Sequence, residues 1–407
     1  MGRMRRVRWS VVAVGAALAL LTAACGSKKE EAGGGAGKTA KIGLIAPLSG
    51  DLSALGIGIK NSVDLAVRQA NERHTVNGWK LVLAAEDDQA KPDVGAAAAT
   101  RLASDKEVVG VVGTLNSSVA QQVTPVLDRA NIVQISPANT NDTLTRGENF
   151  KTSPQRPHKN YFRVATLDSL QGAFAADYAA QTLGAKTAVV IHDKKTYGQG
   201  LADQFRAQFE KDGGKVATVE TVNPGDKDFS AIISKIKPLN PDLIYYGGEY
   251  PEASLITRSA KEQGIKAPLM GGDGVKDDTF IKVAGDAAEG DYVTSVGAAA
   301  EQLPTAKSFI DDYKAAGYKD PFSAYGALSY DAANVLIQAI AKVLPGKASI
   351  DDAVRRAVID QVGRTDYDGV SGKVKFDQYG DTETKLLTMY KVMGGEFKPV
   401  KSGEFGK

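Results

Sequence analysis

Short apolar runs, each followed by an amphipathic helical pattern, recur along this chain and restart once. That alternation restricts the fold more than any other feature. Residues 42–46 (IGLIA), 81–85 (LVLAA), 108–112 (VVGVV) and 132–135 (IVQI) are continuous apolar runs of strand length. Strands read this way when helices cover both faces of a parallel sheet. Between them Val63, Ala66, Val67 and Ala70 recur at helical spacing, as do Val119, Val123, Val126, Leu127 and Ala130. Pro125 lies inside the second pattern and predicts a distortion there, because it has no N–H to donate. After Tyr161 the alternation begins again, with strands at 188–191, 216–222, 242–246 and 268–271 and helices starting near Asp168, Gly198, Asp228 and Pro251. Two successive βα runs predict an α/β fold of two doubly wound Rossmann-like lobes, each on a mainly parallel sheet.

Beyond about Gly297 the pattern becomes helical (305–316, 324–344 and 350–358) and ends in an antiparallel-looking stretch, 372–376 and 385–392. A late helical block packing back on the first lobe makes the chain cross between lobes more than once, giving a multi-strand hinge that permits closure. The expected division is 41–164 plus 297–380 for the N-terminal lobe and 165–296 plus 381–400 for the C-terminal lobe.

The start of the chain has a different character. Arg3, Arg5, Arg6 and Arg8 precede an uncharged run, 9–24, and then Cys25, the only cysteine. A basic start, a short apolar core and small residues before a cut site predict a signal peptide over 1–24. Cys25 after Ala23 and Ala24 resembles the lipobox of bacterial lipoproteins, with Thr22 where a leucine is usual. The expectation is lipid attachment at Cys25, anchorage to the outer face of the cell membrane, and a flexible tether over 25–40, a stretch rich in Gly, Lys and Glu. An ordinary signal peptide with an incidental cysteine is the plainer alternative, and Arg5-Arg6 leaves twin-arginine export open. Loss of the four leader arginines takes the formal charge from +2 to −2 over the remaining 383 residues. A near-neutral chain lacks the basic face that nucleic acid requires. The length suits two lobes, and nothing in the sequence calls for more than a monomer. Gly37-Lys38-Thr39 lacks the spacing and preceding strand of a phosphate loop, and no cysteine or histidine cluster suits zinc, so no cofactor is expected.

In open α/β sheets ligands bind beyond the carboxyl ends of the strands. There the sequence places Asn116, Ser117 and Ser118, then Ala138 and Thr140, leading into helices or turns in the first half. In the second half it places Tyr197, Glu249 and Tyr250, and Asp273 with Gly274. Each has a plainer role: Ser117 or Ser118 as a helix cap, Thr140 in a turn, Tyr197 as a surface aromatic, Asp273 as a cap for a helix near Asp277. Together they predict hydroxyls and helix-start amides facing a carboxylate and an aromatic, a pair of surfaces suited to a free amino acid held as its zwitterion.

At these residues the chain resembles the leucine/isoleucine/valine-binding proteins, the type I periplasmic receptors of ABC importers. The resemblance runs from Lys41 to about Val400 and is strongest at VVIHDKKTYGQGLA, GDKDFSAII, PDLIYYGGEYPEA, MGGDG and SPANTNDTLT. It implies that Ser117 holds the ligand carboxylate, that Ala138 contributes backbone atoms, and that Thr140 contacts either end group. Tyr197 would close from the second lobe, and Asp273, where glutamate is frequent, would meet the ammonium. Leu55 stands where an aromatic often lines the side-chain pocket, Glu249 before Tyr250 replaces a tyrosine, and the single cysteine precludes the disulfide of some relatives. The implied activity is capture of leucine, isoleucine or valine and delivery to an ABC permease, without catalysis. Another amino acid or small amide as cargo, and a sensory role, are the alternatives. A secreted hydrolase is disfavoured, since His74, His158 and His192 accompany no Gly-x-Ser-x-Gly elbow.

Overall fold

The computed structural model describes residues 38–406. The leader, Cys25 and most of the tether, up to position 37, lie outside the described residues.

Five parallel strands, β1 (Lys38–Ala46), β2 (Trp79–Asp87), β3 (Val108–Gly113), β4 (Val133–Ser136) and β5 (Tyr161–Arg163), form the first sheet in the order β2-β1-β3-β4-β5. The second sheet repeats that winding with β6 (Thr187–His192), β7 (Lys215–Thr221), β8 (Leu243–Gly247), β9 (Leu269–Gly271) and β10 (Tyr292–Val296), ordered β7-β6-β8-β9-β10. This is the α/β, doubly wound, two-lobed fold that the alternation predicts. The apolar runs form the central strands because both faces are covered: β3 and β8 are buried along their whole length. Each fully buried aliphatic side chain there contributes about 1.5–3 kcal/mol.

The late helices Lys307–Ala315, Gly326–Val343 and Asp352–Gly363 return to the first sheet. Gly326–Val343 packs on helix Ser53–Glu72 and on β3 and β4. The buried Arg355 guanidinium donates to the carbonyls of Val108 (3.1 Å) and Asp105 (2.9 Å), pinning the last helix to the start of β3.

The two terminal stretches do not pair with each other. Residues 372–376 contribute β12 (Gly372–Lys375), whose hairpin partner is β11 (Asp366–Gly369). The second stretch is β13 (Leu386–Met393), which pairs antiparallel with β10 and with β14 (Glu396–Glu404) to extend the second sheet. Helix Ser117–Arg129 runs through Pro125 without a break, so the expected distortion amounts to one missing hydrogen bond to the Gln121 carbonyl.

The chain passes between the two sheets three times, at 164–167, 297–306 and 376–385. Arg163 and Asp381, at the first and third passages, form a buried ion pair at 2.7 Å and a parallel bridge, tying two of the crossings together. Among the described residues no helix is long and apolar enough to cross a membrane, and no cluster of His, Cys, Asp and Glu is arranged to hold a metal.

Candidate functional site

Both sheets point the carboxyl ends of their strands into the space between them. After β3, Asn116 takes extended backbone angles as the cap of helix Ser117–Arg129, but its side chain makes no capping bond. Ser117 is therefore the first helical residue rather than a cap, and its hydroxyl is buried without a hydrogen-bond partner. The cap carbonyl of Asn116 takes the amides of Val119 (3.1 Å) and Ala120 (3.0 Å), which leaves those of Ser117 and Ser118 at the helix start to favour an anion.

After β4, the Ser136 hydroxyl accepts from the amides of Ala138 (3.1 Å) and Asn139 (2.8 Å), which turns the chain so that Ala138 and Thr140 are buried at the cleft. The Thr140 hydroxyl is buried without a hydrogen-bond partner. Arg163, missed from sequence, holds this loop from beneath. Its guanidinium donates to the carbonyls of Asn139 (3.2 Å) and Asn141 (2.7 Å) and to the Thr145 hydroxyl. Asp381 neutralises it.

In the second half, Tyr197 is the second residue of helix Thr196–Lys211 and is buried, not a surface aromatic. Its hydroxyl donates to Asp273 Oδ1 (2.8 Å) and accepts from the Gly274 amide (3.0 Å). Asp273 also accepts from Gln171 Nε2 at Oδ1 (2.9 Å) and from the Tyr325 hydroxyl at Oδ2 (2.9 Å). It does not cap the following helix, since Asp277 does that by accepting from Thr279 N (2.8 Å). All three side-chain donors to Asp273 are neutral, and among the described residues no lysine or arginine nitrogen lies within 4 Å of it. Burial pushes its pKa up and the three hydrogen bonds pull it back, with burial winning. Burial, then the Asp273 charge, holds Tyr197 and Tyr325 well above their usual range, so both remain donors.

The two halves touch directly. Tyr325, just before helix Gly326–Val343, reaches Asp273 from the first half. Asn116 Nδ2 donates to Glu249 Oε1 (2.7 Å), Asn141 Nδ2 to the Thr196 carbonyl (2.9 Å), Thr196 Oγ1 to Gln121 Oε1 (2.9 Å), and the Tyr250 hydroxyl to the Asp51 carbonyl. Glu249 is buried and pairs with Lys195, whose pKa is raised because Glu249 and Asp193 outweigh the cost of burial. A cavity of about 710 Å³ opens from this contact, lined by Ser118, Lys195, Thr196 and Glu249 with Leu52. Leu55 is not among its walls and sits wholly in the hydrophobic core. Ser117, Ala138 and Thr140 are buried in the first half and Tyr197, Asp273 and Gly274 in the second; none of them lines that cavity, and of the site residues named from sequence only Ser118 and Glu249 do. Gln171, Tyr325, Lys195 and Asn141 were not singled out from sequence; Tyr325, a buried tyrosine at the start of a long helix, carried the clearest local signal.

Two sheets of the same winding, with paired strand-end clusters facing one another across three crossings, are matched by the family described as periplasmic binding protein over residues 39–396. The chain belongs to that family. Among its relatives is the leucine-, isoleucine-, valine-, threonine- and alanine-binding protein of Pseudomonas aeruginosa, 33% identical over 87% of this chain and 90% of the relative. A leucine-binding protein from Thermotoga maritima superposes with a TM-score of 0.80 at 31% identity, covering 90% of this chain and 99% of its own. A branched-chain amino acid transporter substrate-binding protein from Streptococcus pneumoniae, solved with isoleucine, gives 0.79 at 28% identity over 91% and 99% of the two chains. The resemblance read from the sequence and the type I fold it implied are both borne out. Families of this kind bind solutes rather than transform them.

Proposed function

We propose that this periplasmic binding protein captures a free branched-chain amino acid (leucine, isoleucine or valine) between its lobes and delivers it to an ABC permease. The lobes are 41–164 plus 297–380, and 165–296 plus 381–400. The ligand carboxylate is held by the Ser117 and Thr140 hydroxyls and the amides opening helix Ser117–Arg129. The ammonium is held by Asp273, and Tyr197 covers the ligand from the second lobe. The protein is a monomer, exported and held at the outer face of the cell membrane by lipid on Cys25.

The observation that carries this reading is the electrostatic state of Asp273. A buried carboxylate with three neutral donors and no cation bears an uncompensated charge, a costly arrangement unless a cation completes it. On the facing side the Ser117 hydroxyl lacks a partner. An α-amino acid supplies the missing cation and the missing anion in one molecule. Because the two groups belong to different halves, ligand binds the closed state more tightly than the open one and shifts the population toward it.

Calorimetric titration with leucine, isoleucine and valine tests the assignment. Saturable one-site binding of at least one is expected, and no heat with any amino acid would overturn it. A Cys25→Ser substitution is expected to move the protein from the membrane fraction to the soluble fraction.

A further inference from the structure

The contact between Asn116 and Glu249 leaves one buried acceptor open. Only the amide nitrogen of asparagine can donate to a carboxylate, so the 2.7 Å bond from Nδ2 to Glu249 Oε1 fixes which way the amide faces. Glu249 is itself held, its other oxygen taken by Lys195. Asn116 Oδ1 is then buried with no donor, next in sequence to the equally unpartnered Ser117 hydroxyl. A buried acceptor left this way calls for a donor when the site is occupied.

The carboxylate of an amino acid only accepts, and its ammonium is drawn to the Asp273 carboxylate in the other half. A donor on the side chain is the group left free to meet Asn116, and a change in the ratio of donor-bearing to aliphatic ligands, rather than in both equally, distinguishes it from a spare ammonium N–H. We infer that Asn116, oriented by Glu249, is a specificity-determining acceptor that admits amino acids whose side chain offers a neutral hydrogen-bond donor, a hydroxyl or a carboxamide. The assignment rests on the amino-acid reading above and extends it.

Lys195 already supplies a cation to this wall, paired with Glu249 and 3.4 Å from Asp193, so a neutral donor suits it better than a second cation. Burial, then the Glu249 charge, pushes the Asp193 carboxyl up toward its neutral form. The adjoining cavity of about 710 Å³ gives such side chains room, with Ser118 and Thr196 on its walls.

Isosteric ligand pairs separate the outcomes without disturbing the fold: threonine against valine, and asparagine against leucine, titrated calorimetrically into the protein. At least one donor-bearing member is expected to bind within tenfold of its aliphatic counterpart. Asn116→Leu is expected to lower the affinity ratio of that member to its counterpart about tenfold, the scale of one neutral hydrogen bond. Aliphatic ligands binding while both donor-bearing ones trail by more than tenfold would overturn this inference alone, as would an unchanged ratio in Asn116→Leu. Failure of all four ligands to bind would overturn the amino-acid reading itself.

Discussion

Gly200 lies in the second turn of helix Thr196–Lys211, beside Asn141 of the other half. A Cβ added there would stand 2.3 Å from Asn141 Nδ2. Asn141 cannot swing aside cheaply, because its Oδ1 accepts from the amide (3.1 Å) and hydroxyl (2.7 Å) of Thr143. Gly200→Ala therefore forces the halves apart locally by about 1 Å, since packed atoms forfeit much of their attraction, and soon clash, away from optimal separation. The bonds at risk are Asn141 to the Thr196 carbonyl and Thr196 to Gln121, both 2.9 Å and both running between the halves. At about 1 kcal/mol each, their loss weakens ligand binding by ~2 kcal/mol, roughly 30-fold. Within its own helix the substitution acts in the opposite direction, since alanine exceeds glycine there by roughly 0.8–1.0 kcal/mol. The expected result is weaker leucine binding by calorimetry, together with an unchanged or higher ligand-free melting temperature by scanning calorimetry. Wild-type affinity in Gly200→Ala would refute the proposition that the closed arrangement is the one ligand selects.

Other perturbations test other contacts. Tyr325→Phe removes the donor from the first half to Asp273 and is expected to weaken leucine binding by about 2 kcal/mol, the scale of a hydrogen bond to a charged group; unchanged titration curves would show that contact to be idle. Arg163→Met leaves Asp381 with Arg146 alone and frees the carbonyls of Asn139 and Asn141. Breaking a buried pair of this kind costs about 3–5 kcal/mol, so a fall of several degrees in melting temperature is expected, and no fall would contradict the role given to it. Asp88 is buried, with one oxygen unpartnered, and burial raises its pKa to about 7. The folded state thus holds this proton more tightly than the unfolded chain, so its stabilising effect is present at low pH and is lost as pH rises through 7. Asp88→Asn is expected to flatten the decline in melting temperature between pH 6 and 8; an identical slope in both proteins would exclude Asp88 as its source.

Most of the strand framework was legible because strands of a covered parallel sheet are unbroken apolar runs, as at 108–112. The missed strands lack that signature. β10 (YVTSV) mixes polar residues into its run, β14 is an exposed edge with Pro399 in it, and β5 is three residues long. Residues 372–376 and 385–392 read alike locally, but nothing local states that one closes a hairpin with β11 while the other joins β10. The same limit applies at the cleft. Ser117, Thr140, Tyr197 and Asp273 could be named because strand ends are where such folds place ligands. Their partners could not: Gln171 lies 102 residues and Tyr325 52 residues from Asp273, and only the folded topology brings them together. Glu249 was visible as a departure from the family pattern, yet its bond to Asn116 required both halves in place.

The account depends most on a charged amine meeting Asp273. Calorimetric comparison of leucine with 4-methylpentanoate, the same molecule without its amine, addresses this directly and leaves the protein untouched. Loss of one partner from a buried charge pair costs roughly 2–5 kcal/mol, so the deaminated ligand is expected to bind at least ~30-fold more weakly than leucine. Affinities within a few-fold of each other would contradict the account, because Asp273 would then have no part in holding the ligand.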